Sequence, residues 1–228
     1  RKIRRALGPL RDLDVMCAHL TSFESSAQSA RAAGWLGGEL HKKRKGLRQK
    51  VTRKLTQADP LRDLKKWIDI EADIEKSIDA ARVLIAKRAT QDFQSFSHCA
   101  DLVAEHSDAA GDEIHALRIN AKKLRYRLEL AEAAGYPLAA KTLSTFKQLQ
   151  DTLGQWHDYV VLSEQALQCA IDAELAANDT ELYEQVLRLA EQSADRASRH
   201  LAHFREISGS FGDGHSHIPD AVRRADVN

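Results

Sequence analysis

Four prolines and eleven glycines are all that punctuate 228 residues, and this scarcity constrains the fold more than any other feature. Turns and strand ends draw on these two residues, so the chain has few turns to give. Alanine, the best helix former, occurs 34 times. The sequence therefore predicts an all-α protein, and no segment reads as a strand. No run approaches the roughly 18 apolar residues of a membrane span, and no apolar signal region opens the chain. Cys17, Cys99 and Cys169 are odd in number and far apart. That pattern argues for a reducing, cytoplasmic setting and against a disulfide scaffold or a cysteine-rich zinc site. The chain opens on Arg1 rather than Met and reads as part of a longer one.

The few breakers divide the chain into helices. Arg1 to about Arg31 reads as one or two helices around Gly8-Pro9, with Gly34, Gly37 and Gly38 breaking the chain after them. From about Trp35 to Gln57, Leu36, Leu40, Leu47, Val51 and Leu55 recur at helical spacing. Asp59-Pro60 pairs an N-cap with proline at the first helical position, and no Gly or Pro follows until after His106. A helix from about Asp112 to Ala134 ends on Gly135 as a C-cap. Pro137 starts another, and Asn178-Asp179 separate it from a last helix ending near Ile207. Residues 209–228 lack periodicity and read as a flexible tail.

The chain also repeats itself. The stretch from Ala6 to Val15 aligns with Thr152 to Val161 at a constant offset of 146, and Leu7/Leu153, Gly8/Gly154, Asp12/Asp158 and Val15/Val161 are identical. A spacing of that size suits two homologous bundles, placed at residues 1–107 and 108–208. The second copy follows the Asp112–Ala134 helix. The matching first-copy helix would precede Arg1, so the first bundle is expected to lack its first helix in this chain.

Charge is distributed unevenly along this framework. Residues 1–56 hold 14 Lys and Arg against 4 Asp and Glu, and residues 101–228 hold 13 against 21. A basic concentration of that size points to an anionic partner. The sharpest basic pattern lies in the helix beginning near Asp112. Ile114, Leu117, Ala121, Leu124 and Leu128 form its apolar stripe at helical spacing. His115, Arg118, Lys122 and Arg125 border that stripe over about three turns, while Lys123 and Arg127 fall on the far side, in solvent. Like charges stacked at three- and four-residue spacing repel one another. A polyanion laid along the line would relieve that repulsion, though a plain solvated face has the same spacing.

A second concentration runs through residues 41–54, where His41, Arg44, Lys45 and Arg48 cluster beside the Leu40/Leu47/Val51 stripe. A third comprises Arg1, Lys2, Arg4, Arg5 and Arg11. Arg4 and Arg11 share a face with Gly8, and Arg11 could equally pair with Asp12. Other candidates are weaker. His200 and His203 are one turn apart and His215 and His217 sit in the tail, with no third ligand at fixed spacing for a metal. Acidic pairs such as Asp69/Asp73 fit a solvated helix face, and Trp35, Trp67 and Trp156 fit the core. No phosphate-cradling glycine loop, nucleophile elbow or metalloprotease motif is present.

The His115–Leu128 motif, followed by Leu149-Gln-Asp-Thr-Leu-Gly154 and Asp158, resembles the CHAD domain, the conserved histidine α-helical domain. The stretch Leu7-Gly8 to Arg11-Asp12-Leu13-Asp14-Val15 looks like its first half, and the likeness covers roughly residues 1–207. The resemblance implies two four-helix bundles related by pseudo-symmetry that bind inorganic polyphosphate through basic residues, in some bacteria at polyphosphate granules. Many such domains are fused to a CYTH domain, a triphosphate tunnel metalloenzyme. His115, Arg118, Lys122 and Arg125 match the family's basic helix, and Arg11 its Arg-Asp motif, where His157 stands in the second copy. The 41–54 helix matches only a loosely basic pattern.

The expected activity is therefore non-catalytic binding of polyphosphate, with no cofactor, no metal and no membrane. Forked Arg donors and mobile Lys charges suit a chain of identical phosphates. Aromatic residues are only 6% and none interleaves the 41–54 run, which disfavours nucleic acid, where bases stack on such rings. Two other readings stay open: an accessory domain of a CYTH-type triphosphate-processing enzyme, and a basic helical module for nucleic acid or a protein partner.

Overall fold

The computed structural model describes residues 2–24, 29–56, 78–105, 111–136 and 140–209. The Asp59-Pro60 signal, Trp67 and the tail from 210 onward lie outside them. Seven helices and no strand occur among the described residues: α1 (Lys2–Glu24), α2 (Ala30–Thr56), α3 (Ile78–Glu105), α4 (Gly111–Ala133), α5 (Ala140–Asp172), α6 (Leu175–Asn178) and α7 (Thr180–Gly209). The fold is all-α, and no described helix is long and apolar enough to cross a membrane.

The expected break at Gly34, Gly37 and Gly38 does not occur, and of the two readings around Gly8-Pro9 the unbroken helix is the one found. α1 runs through Gly8 and Pro9, and α2 runs through Gly34, Gly37 and Gly38. Proline inside a helix removes one amide bond, but Pro9 is exposed, so water can satisfy the acceptor left behind. A helical glycine costs only about 1 kcal/mol relative to alanine. Burying one leucine side chain contributes about 1.5–3 kcal/mol, and α2 buries Leu36 and Leu40 completely together with Ala32 and Ala33. Gly37 lies against α1, where an added Cβ would sit 3.9 Å from Leu20 Cδ1. Packing on this face outweighs the local penalty.

The chain divides into two compact units that are discontinuous in sequence: Arg1–Lys66 with Trp156–Arg199, and Trp67–Gln155 with His200–Asn228. In the first, α1 contributes Leu13, Met16, Leu20 and Phe23 to the buried core, α5 contributes Trp156, Tyr159, Leu162 and Ala166, and α7 contributes Leu182, Val186 and Leu189. Trp35 is only half-buried, unlike Trp156. In the second, Ile114, Leu117, Ala121, Leu124 and Leu128 of α4 are all buried, as the helical spacing predicts, alongside Phe96, Phe146, Leu149 and Phe204. Phe96 and Phe146 meet edge to face at 5.4 Å.

Helix ends follow capping chemistry. Gly135 takes φ +87°, its N–H donates to Glu132 O at 2.9 Å, and Tyr136 N–H donates to Ala131 O at 3.0 Å. This is the Schellman arrangement that ends α4. Gly135→Ala would meet only ordinary van der Waals contact, with Arg82 Nη2 at 3.5 Å. Its cost is therefore the left-handed backbone itself, about 1 kcal/mol. We expect the melting temperature to fall by a few degrees, and an unchanged value in thermal denaturation would contradict the assignment.

Asp179 caps α7, its Oδ1 accepting from Leu182 N–H at 3.0 Å, while Arg31 of α2 reaches its other oxygen at 2.7 Å. The chain also turns earlier than Asn178-Asp179, at Glu174, where φ is +49°. The short α6 fills the gap between the two turns.

Candidate functional site

The α4 stripe lies where its spacing places it, but its members differ in state. His115 is exposed, and Arg118 and Lys122 are half-buried at the edge of the apolar face. Neither Arg118 nor Lys122 pairs with a carboxylate among the described residues. Arg125 is more enclosed. Its Nε lies 3.3 Å from Glu129 Oε1 without the alignment of a hydrogen bond, and its guanidinium sits 5.0 Å from the Tyr126 ring centroid. Part of its charge is thus already answered on its own helix. Arg118 and Lys122 remain as two unanswered cations one turn apart.

The far side of α4 differs from the expectation. Lys123 is exposed, but Arg127 is half-buried and its Nε donates to Asp92 Oδ2 of α3 at 3.3 Å. The i,i+4 spacing from Lys123 to Arg127 gives no hint of this, because the acceptor comes from another helix. Nearby, Asn120 Nδ2 donates to Cys99 Sγ at 3.2 Å. These polar contacts fix the register of α3 against α4.

In the first unit the basic face of α2 is sorted by its neighbours. Arg44 Nε donates to Asp14 Oδ1 of α1. Lys43 turns the other way, towards α5, where its Nζ lies 3.4 Å from Gln165 Oε1 and 3.9 Å from Asp172 Oδ2. His41, Lys45 and Arg48 are exposed. A shallow open groove of about 590 Å³ runs along this stretch, lined among the described residues by Lys45, Arg48, Gln49, Thr52, Arg53 and Thr56. It offers three cations and two hydroxyls over about three helical turns.

Arg11 and Asp12 of α1 are both exposed, and no ion pair joins them. Antiparallel pairing of α1 and α2, fixed by Asp14 and Arg44, sets Arg11 level with the turn that carries Arg48. The side chain of Arg4 lies outside the described residues. Asp158, aligned with Asp12 in the repeat, is engaged differently: its Oδ2 lies 3.7 Å from His19 Nε2.

Two thiols border these surfaces. Burial pushes the Cys17 thiol above its ordinary value, Asp14 adds to the rise, and Arg44 opposes it. Burial does the same to Cys169, against the hydrogen bond and charge of Lys43. Both therefore stay protonated and weakly nucleophilic at neutral pH. Among the described residues no three His, Cys, Asp or Glu side chains converge as a metal site would require.

One cation escapes any inspection of basic runs. Arg196 of α7 lies outside the basic runs, flanked by Asp195 and Ala197, yet it inserts against α1 and α5. Its guanidinium carbon sits 3.9 Å from the Phe23 ring centroid and 5.5 Å from that of Tyr159.

No curated protein and no solved structure matches the chain. The family model of the CHAD domain matches residues 1–168, which takes in α1 to α4 and most of α5, with every basic residue of the two surfaces. On that match and on its all-helical fold, the chain belongs to the CHAD domain family.

Proposed function

We propose that this protein binds inorganic polyphosphate without turning it over, using the α4 stripe and the basic edge formed by α1 and α2. The observation that carries this reading is the state of Arg118 and Lys122. Both are partly desolvated beside a buried apolar stripe, one turn apart, and neither pairs with a carboxylate among the described residues. Partial burial weakens solvent screening of their mutual repulsion, so a helix needing only solubility gains nothing from this arrangement. A polyanion lying along it gains two charge-assisted contacts and removes the repulsion. Arg11, Lys45 and Arg48 supply the corresponding exposed cations in the first unit, with His41 exposed beside them, and His115 extends the α4 line by one turn.

Membership of the family supports the ligand class, and the scarcity of aromatic side chains among the basic residues supports a phosphate chain over nucleic acid. The test is a titration with polyphosphates of defined length, with labelled RNA as competitor. Saturable binding that RNA fails to displace is expected. RNA displacing polyphosphate at equal charge would instead identify a nucleic-acid module. Binding of this kind fits a protein that sits at polyphosphate granules or serves a CYTH-type enzyme.

Hydrolysis is not part of the proposal. The basic stripes carry no carboxylates arranged for Mg²⁺, which is usually held by one or two carboxylates together with substrate phosphates. We expect no release of phosphate from polyphosphate or nucleoside triphosphate by the purified chain. Mg²⁺-dependent release that survives repurification and exceeds a heat-killed control would overturn this.

A further inference from the structure

We propose that Arg196, Ser22 and Tyr159 form a binding site for a single tetrahedral oxyanion of the size of phosphate, at the junction of α1, α5 and α7. No stripe residue takes part in it, so it stands independently of the polyphosphate reading.

Arg196 is half-buried, and no carboxylate lies within ion-pair distance of it among the described residues. A partly desolvated guanidinium ordinarily has a counter-charge, since burying an unpaired charge is costly. What holds Arg196 instead is uncharged. Its flat face stacks over Phe23 at 3.9 Å, a ring that is itself buried. Its Nη1 donates to Ser22 Oγ and to Tyr159 Oη at 3.3 Å. Stacking uses the face of the group and leaves its N–H edges available.

Those contacts account for one nitrogen of three. Nε and Nη2 donate to no described residue, and neither is sealed from solvent. The two carry the side-on pair of parallel N–H donors that grips two oxygens of one phosphate. The donor pair is thus both unspent and immobilised, and little side-chain entropy is left to lose when an anion arrives.

The surroundings favour the same ligand. The cluster's carboxylate, Asp158, lies 3.7 Å from His19 Nε2, and the His19 ring packs 4.5 Å from Tyr159. The negative charge is therefore turned towards His19. Helix α7 lies beyond the residues that the family model matches, so the site draws on a segment outside the shared pattern.

The test follows the Arg196 Nε–H resonance of the full chain by ¹H–¹⁵N NMR at constant ionic strength. Orthophosphate is expected to shift it saturably, and Arg196→Lys, which keeps the charge but loses the fork, to weaken phosphate binding at least tenfold by calorimetry. Ser22→Ala should weaken it less, since the stack on Phe23 remains. Because Arg196→Lys could disturb packing, its helicity and melting temperature are measured beside the wild type, and the wild-type resonance gives an answer that needs no variant. Tripolyphosphate is titrated in parallel into the chain carrying Arg118→Glu with Lys122→Glu. A shift with both ligands supports a site open to free phosphate, and a shift with tripolyphosphate alone supports one that takes a terminal phosphoryl group. No shift with either, or equal phosphate affinity in wild type and a folded Arg196→Lys, would overturn the proposal. In both of the latter cases the polyphosphate reading of the stripes would still stand or fall on its own titration.

Discussion

Arg118→Glu combined with Lys122→Glu is expected to lower polyphosphate affinity at least tenfold more than an equal charge change elsewhere in the same unit, a difference of about 1.4 kcal/mol. Direct contacts are lost and repulsive ones replace them. The comparison pair must be chosen with the tertiary contacts in view. Arg127 would be a poor control, because it is bound to Asp92 of α3, and its reversal would set two carboxylates against each other. Lys87 and Lys123 are both exposed and form no ion pair among the described residues, so Lys87→Glu with Lys123→Glu changes the net charge equally and touches no buried side chain. If bulk field alone attracts the ligand, the two double variants lose affinity alike, and that result would remove the site assignment. Helicity and melting temperature should stay near wild type in both. The stripe residues lie beside the buried Leu117, Ala121 and Leu124 without replacing them, so the double reversal leaves the apolar contacts in place and exchanges one like-charge pair for another. Unfolding of the Arg118/Lys122 variant would show those residues to be structural.

Polyphosphate affinity should also fall more than a hundredfold between 50 and 200 mM salt, taking about six phosphate contacts and a log–log slope of about −0.7 per contact, as for flexible single-stranded polyanions. Each neutralised phosphate releases condensed counterions, and added salt opposes that release. Arg118→Glu with Lys122→Glu should make the slope shallower by roughly two contacts, whereas Lys87→Glu with Lys123→Glu should leave it nearly unchanged. Measuring slopes therefore separates contact from field more cleanly than affinity at one salt concentration. A flat affinity across this range would mean that the ligand is held by hydrogen bonds or apolar contact, and the polyphosphate reading would fail.

The sequence by itself determined the helices of this protein and the face each one buries where that information is local. Ile114, Leu117, Ala121, Leu124 and Leu128 are legible as a stripe because helical periodicity needs no knowledge of the partner, and all five are buried. Gly135 is legible as a cap because only a residue without a side chain adopts φ +87° at low cost. The glycines of α2 mislead for the converse reason. Their penalties are local and small, whereas the burial that overrides them is set by helices that sequence position does not identify.

The state of each cation was decided only by the tertiary structure. Arg44 is tied to Asp14, thirty residues away, and Arg127 to Asp92, thirty-five away. Arg196 finds Ser22 and Tyr159 at separations of 174 and 37. A basic run shows how many charges a helix carries. Which of them remain available to a ligand depends on carboxylates, hydroxyls and rings delivered by other helices, since ion pairs and stacking act over a few ångströms of space at any distance along the chain.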